Sequence, residues 1–169
     1  MRLRARPIII ASAISLALFA AGLPWAFYWY SMSFVEGRPV PPTRHISSGE
    51  VDAVWAAQEV SLSRDRLRDI TPYWFYHWLI CAFELKKCSE SGPYENMSRM
   101  ASYIALSYLR DSHFKGQGMG QWHLGYANLS IWIQRNMSPE EIVATYLEAK
   151  SRITPHSTGA LNSGAVGSP

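Results

Sequence analysis

Apolar and polar positions in this chain repeat with a helical period in one segment after another, and no segment alternates like a convincing strand. The first segment is an uncharged run from Pro7 to about Tyr30, long enough to cross a bilayer as a helix. Ser31 to about Thr43 follows, with Pro39, Pro41 and Pro42, and reads as an extended spacer. Ser47 with Glu50 predicts a capping box that opens a helix through Val51, Val54, Trp55 and Gln58.

Thr71-Pro72 opens the next helix, which is rich in aromatics and runs to about Lys87. Tyr73, Trp74, Phe75, Tyr76, Trp78, Leu79, Ile80 and Phe83 surround it almost entirely, so it is either buried in a core or laid against lipid headgroups. Gly92-Pro93 breaks the chain, and Met97, Met100, Ala101, Ile104 and Tyr108 then predict a helix ending near Arg110. Gln121 to Arg135 is apolar on most sides, which predicts a central helix. Ser138 begins another: a hydroxyl N-cap, Pro139 at the first helical position, acids in the first turn and Glu141 placed to close a capping box. Its stripe of Ile142, Val143, Tyr146 and Leu147 asks for burial.

The pattern predicts a mainly α-helical domain of about five helices. The chain has 169 residues and a net charge of +3, enough for one modest domain with appendages. A mean hydropathy of −0.09 excludes a chain embedded in lipid over most of its length. Arg2, Arg4 and Arg6 flank the apolar run on one side, and Trp25, Phe27, Tyr28, Trp29 and Tyr30 crowd its far end. A basic flank and an aromatic belt predict a cytoplasmic N-terminus with the remainder across the membrane. A cleaved signal peptide is the competing reading, with small residues at Ala20 and Ala21, but the apolar stretch continues past them and favours a retained anchor. The expected division is a basic flank over 1–6, an anchor over 7–30, a spacer over 31–46, a helical domain over 47–153 and a disordered tail over 154–169.

Candidate chemistry is sparse. Cys81 and Cys88 would suit a small disulfide loop in an exported domain, or remain two free thiols. His77 stands four residues before Cys81, yet no third ligand has metal-site spacing. The loop of Gly116, Gly118 and Gly120 lacks the Lys-Ser ending of a phosphate-binding loop. The expectation is no metal, no cofactor and no nucleic-acid partner.

The stretch from Trp132 to Glu148 resembles a signature of the family 51 peptidoglycan glycosyltransferases, roughly W-L-E-x-x-x-S-K-x-E-I-L-x-x-Y-L-N. Trp132, Ser138, Glu141, Ile142, Tyr146 and Leu147 keep its spacing. The resemblance extends over about Val51 to Ile153 and implies a small lysozyme-like helical domain on the outer side of a bacterial inner membrane. It implies as partners the bilayer itself and a lipid-linked peptidoglycan precursor or an envelope synthase. A divalent metal would be needed only by an active enzyme.

Laid on the family's first motif, A-x-x-A-x-E-D, Ala53 and Ala56 keep their places and Gln58 stands where the catalytic glutamate is expected. An amide cannot take a proton from an acceptor hydroxyl. A slip of one residue would bring in Glu59. On the second motif, G-S-T-I-T-Q-Q-L-x-K-N, Ser98, Ser102 and Tyr103 take the substrate-binding positions, and the lysine and asparagine have become Leu106 and Ser107. On the third, R-K-x-x-E, Trp122 and His123 replace the basic pair and Tyr126 replaces the second essential glutamate.

The resemblance thus implies a degenerate domain acting as a binding or accessory module. The alternative is a weak or altered glycosyltransferase or lysozyme-like enzyme using Glu59, although glycan hydrolysis usually takes two carboxyl groups, and Glu84 and Glu95 are not singled out by spacing. A plain helical domain, similar through packing alone, is the third reading.

Overall fold

The computed structural model describes residues 5–44, 46–59, 62–74, 76 and 97–153. Cys81 and Cys88, His77, Glu84, Glu95, the Gly92-Pro93 turn and the tail from 154 lie outside the described residues. Over the described residues the protein is mainly α-helical. In chain order come α1 (Ala5–Met32), α2 (Ser48–Gln58), a 3-10 turn (Arg64–Asp69), α3 (Arg99–Tyr108), a π turn (Leu109–His113), α4 (Gly118–Asn136) and α5 (Pro139–Ile153).

The caps behave as local chemistry predicts. Ser138 Oγ accepts the Glu141 amide at 3.2 Å while Glu141 Oε2 accepts the Ser138 amide at 2.7 Å, a complete capping box at the start of α5. At α2 the box is half made. Ser47 Oγ accepts the Glu50 amide, but the Glu50 carboxylate turns to Arg44 instead. The helix expected to end near Arg110 stops at Tyr108 and widens into the π turn, where Ser112 adopts a left-handed φ of 69°.

The core lies where α3, α4 and α5 meet, with α2 against α5 and α1 against α4. Met100, Leu129, Ile131, Ile133, Ile142 and Val143 are among its fully enclosed side chains. As expected, α4 is central. It buries Gly125, Leu129, Ser130, Ile131, Ile133 and Gln134, which fall on several faces.

One N-terminal segment, Ile9–Met32, is long and apolar enough to cross a membrane. Its two halves differ. Ile9, Ile10, Ile14, Leu16, Leu18 and Phe19 each expose more than half of their surface. Pro24, Tyr28, Ser31 and Met32, spaced as one helical stripe, are buried against the domain. The last two turns of α1 therefore belong to the core.

The spacer after α1 is tied down. Val35 is buried and forms an antiparallel bridge with Phe114, with Glu36 N donating to His113 O and Lys115 N donating to Phe34 O, both at 2.8 Å. Backbone groups brought next to a domain need partners, and this bridge supplies them. Gly125 of α4 packs beneath the bridge, where a Cβ would stand 3.4 Å from the Phe114 ring and 3.6 Å from Val35, ordinary contact distances.

Candidate functional site

The polar centre of the molecule is assembled from three elements far apart in sequence. Glu59 is the C-cap of α2, its amide returning to Trp55 O at 2.8 Å. Trp55 Nε1 reaches on to Leu62 O at 3.0 Å, which folds the chain back under the helix end. That turn drives the Glu59 side chain inward, where it is only 6 % exposed.

Glu59 Oε1 accepts two hydrogen bonds of 2.7 Å, one from Ser98 Oγ and one from the Met100 amide. Ser98 is the N-cap of α3 and accepts the Ala101 amide at 3.2 Å. Two of the amides left without partners at the start of α3 are therefore satisfied, one by its own cap and one by a carboxylate from α2. A negative group at a helix N-terminus also suits the helix dipole. Gln134, fully buried on α4, completes the arrangement: its Oε1 accepts the Ser98 amide at 2.8 Å and its Nε2 donates to Ser130 O at 3.2 Å. Among the described residues no donor reaches Glu59 Oε2.

Gln58 stands one residue earlier and faces differently. It is half-buried, and its Oε1 accepts the Tyr146 hydroxyl at 3.3 Å. The Tyr146 ring meets Tyr103 edge to face at 5.2 Å, and the Lys150 ammonium stands 5.9 Å from its centre. Gln58, Tyr146 and Tyr103 thus form a second cluster, joining α2, α5 and α3.

The sequence-derived positions separate into three places. Glu59 and Ser98 meet directly. Gln58 and Tyr103 meet through Tyr146, and Ser102 sits one turn into α3, its amide bonded to Ser98 O. Tyr126 takes no part in either cluster. Its ring stacks 5.7 Å from that of Trp122 on the same helix, with the two planes nearly parallel. Gln134 was not singled out by sequence reasoning; its signal was an amide in an otherwise apolar helical run.

A separate cleft of about 380 Å³ opens between α3, α5, the π turn and the spacer, bordered by Arg38, Tyr108, Asp111, His113, Glu148 and Arg152. Its charges are largely mutual: Arg152 pairs with Glu148 and lies 4.0 Å from Asp111. Tyr108 stacks on His113 at 4.0 Å and donates to Glu36 O at 2.8 Å. Burial raises the Tyr108 pKa above the ordinary tyrosine value, with Arg38 opposing and Glu36 assisting. Of the described positions laid on the three motifs, Ser107 lines this cleft, and Gln58, Glu59, Ser98, Ser102, Tyr103 and Tyr126 do not. Among the described residues, no three His, Cys, Asp or Glu side chains gather as a metal site would require. The chain matches no family model, no curated protein and no solved structure.

Proposed function

We propose that this protein is a membrane-anchored cell-envelope module whose lysozyme-like, glycosyltransferase-51-like domain binds a partner or a lipid-linked glycan without polymerising it. The observation that carries this reading is the use made of Glu59. The carboxylate next to the amide of Gln58 is buried, and its Oε1 is engaged by Ser98 and Met100. A general base must reach the proton it abstracts. Here the exposed side of the pair offers an amide already bonded to Tyr146.

The resemblance puts Tyr126 at the second glutamate position, although the fold brings it to neither Gln58 nor Glu59. Tyr126 presents an aromatic ring stacked on Trp122 in place of a carboxylate, so no charge is supplied there for a leaving diphosphate. What supports the resemblance is the capped start of α5, where Ser138 and Glu141 stand at the signature's spacing.

The test is a pair of assays on the full chain in detergent micelles. With lipid-linked disaccharide and a divalent metal, no glycan polymer is expected, and Gln58→Glu alone should not create activity, because the second carboxylate and the cationic contacts are still missing. Binding of the lipid substrate without turnover supports the module. A robust wild-type rate lost in Glu59→Gln, with thermal stability retained, overturns the proposal in favour of an enzyme based on Glu59.

A further inference from the structure

Tyr73 and Tyr76, near the start of the aromatic segment, return to α1. Tyr73 Oη donates to Ala21 O at 3.0 Å, and Tyr76 Oη donates to Ala20 O. These bonds span 52 and 56 residues of sequence.

Their position on α1 has a chemical cause. Pro24 lies inside the helix and has no N–H. The carbonyl four residues earlier, Ala20 O, therefore loses its helical donor, and the proline ring pushes against it. A freed carbonyl in lipid costs several kcal/mol unless something donates to it, about 2–7 kcal/mol for an unsatisfied amide. The Tyr76 hydroxyl supplies that donor at the carbonyl Pro24 leaves open, and Tyr73 takes the next one.

The depth follows from length. The uncharged run starts at Pro7, and a hydrocarbon core of about 30 Å takes about 20 residues at 1.5 Å each, which ends near Ala26. Ala20 lies six residues before Ala26, about 9 Å inside that boundary. The tyrosines that hold it are then at the depth where interfacial aromatic groups lie, about 5–10 Å into the headgroup and acyl boundary. The sequence suits that position. From Thr71 to Phe83 there is no Asp, Glu, Lys or Arg, and tyrosine and tryptophan are the residues that favour a membrane interface.

We infer that Tyr73 and Tyr76, held on the Ala21 and Ala20 carbonyls, lie in the acyl boundary of the bilayer beside α1, with lipid covering their outer side. The domain is thereby clamped to the membrane surface in one orientation. Two features agree with this. Tyr73 remains 44 % exposed, and the apolar half of α1 continues directly from the clamp without a charged break. The inference rests on α1 being a retained anchor.

The test uses the full chain with Cys81→Ser and Cys88→Ser, reconstituted in vesicles of phosphatidylethanolamine and phosphatidylglycerol. Single nitroxide labels are placed at Leu18→Cys, Tyr73→Cys and Ser107→Cys, and collision with oxygen is compared with collision with a water-soluble nickel chelate. The expected result is a deep label at Leu18, an acyl-boundary label at Tyr73 and a water-exposed label at Ser107. Leu18 deep with Tyr73 as wet as Ser107 overturns the clamp and leaves the anchor standing. Loss of the segment containing Leu18 from mature protein, read by mass spectrometry, overturns both.

A double-mutant cycle then tests the proline itself. Tyr76→Phe should lower Tm by roughly 3–8 °C when Pro24 is present, and by far less in the Pro24→Ala background, where a helical N–H returns to Ala20 O. Equal shifts in the two backgrounds overturn the assignment of Tyr76 to the vacancy left by Pro24.

Discussion

Glu59→Ala removes the acceptor shared by Ser98 Oγ and the Met100 amide. Both donors lie in a region where Ser98 and Met100 are fully buried, so water cannot replace the carboxylate without opening the helix end. An orphaned buried donor costs about 1–3 kcal/mol, and loss of the anion at the α3 N-terminus adds about 0.3–1 kcal/mol. Ser98 retains its cap to Ala101, which limits the damage to the contacts Glu59 itself makes. The expected destabilisation is about 3–5 kcal/mol. For a domain near a hundred residues this is a fall in Tm of roughly 15–30 °C. Glu59→Gln keeps an oxygen in the same place and should accept both bonds with less charge assistance, costing about 1–2 kcal/mol. The assay is thermal unfolding of the full chain in mild detergent, followed by near-ultraviolet circular dichroism. The ordering matters as much as the size: alanine must be much worse than glutamine. Both variants melting within about 2 °C of wild type would refute the view that Glu59 holds the helices together.

Gln134→Leu leaves the Ser98 amide without its acceptor and should cost about 1–3 kcal/mol, read from the midpoint of denaturant unfolding. Ser138→Ala removes one half of the α5 capping box while the Glu141 carboxylate still accepts the backbone amide; a loss of about 1 kcal/mol is expected in the same assay. Gly37→Ala places a Cβ 2.8 Å from the Tyr108 hydroxyl at a φ of +69°, so it should lower Tm by roughly 5–15 °C. Gly118→Ala, at a φ of +82° but facing open space, should do less, which separates the contact with Tyr108 from the backbone cost.

What the sequence determined by itself is what neighbouring residues decide among themselves. The helical class, the capped start at Ser138, the break before it and the central place of α4 all follow from periodicity and capping over a few residues, and each is present. The apolar length of the first helix was equally legible, since one uncharged run is enough to establish it. What only the tertiary structure decided is where polar side chains find their partners. Glu59 meets Ser98 across 39 residues, Ser98 meets Gln134 across 36, and Tyr76 meets Ala20 across 56. Read along the chain, Glu59 was a spare carboxylate one place from Gln58; folded, it is a buried cap for another helix. The spacer similarly read as extended, and only the fold brings it against Phe114 as a bridge. A carboxylate, an amide or a tyrosine hydroxyl carries no mark in sequence of whether it will face solvent, substrate or an unsatisfied backbone group. That is fixed by desolvation, which forces each buried donor or acceptor onto whatever partner the packed helices bring within reach.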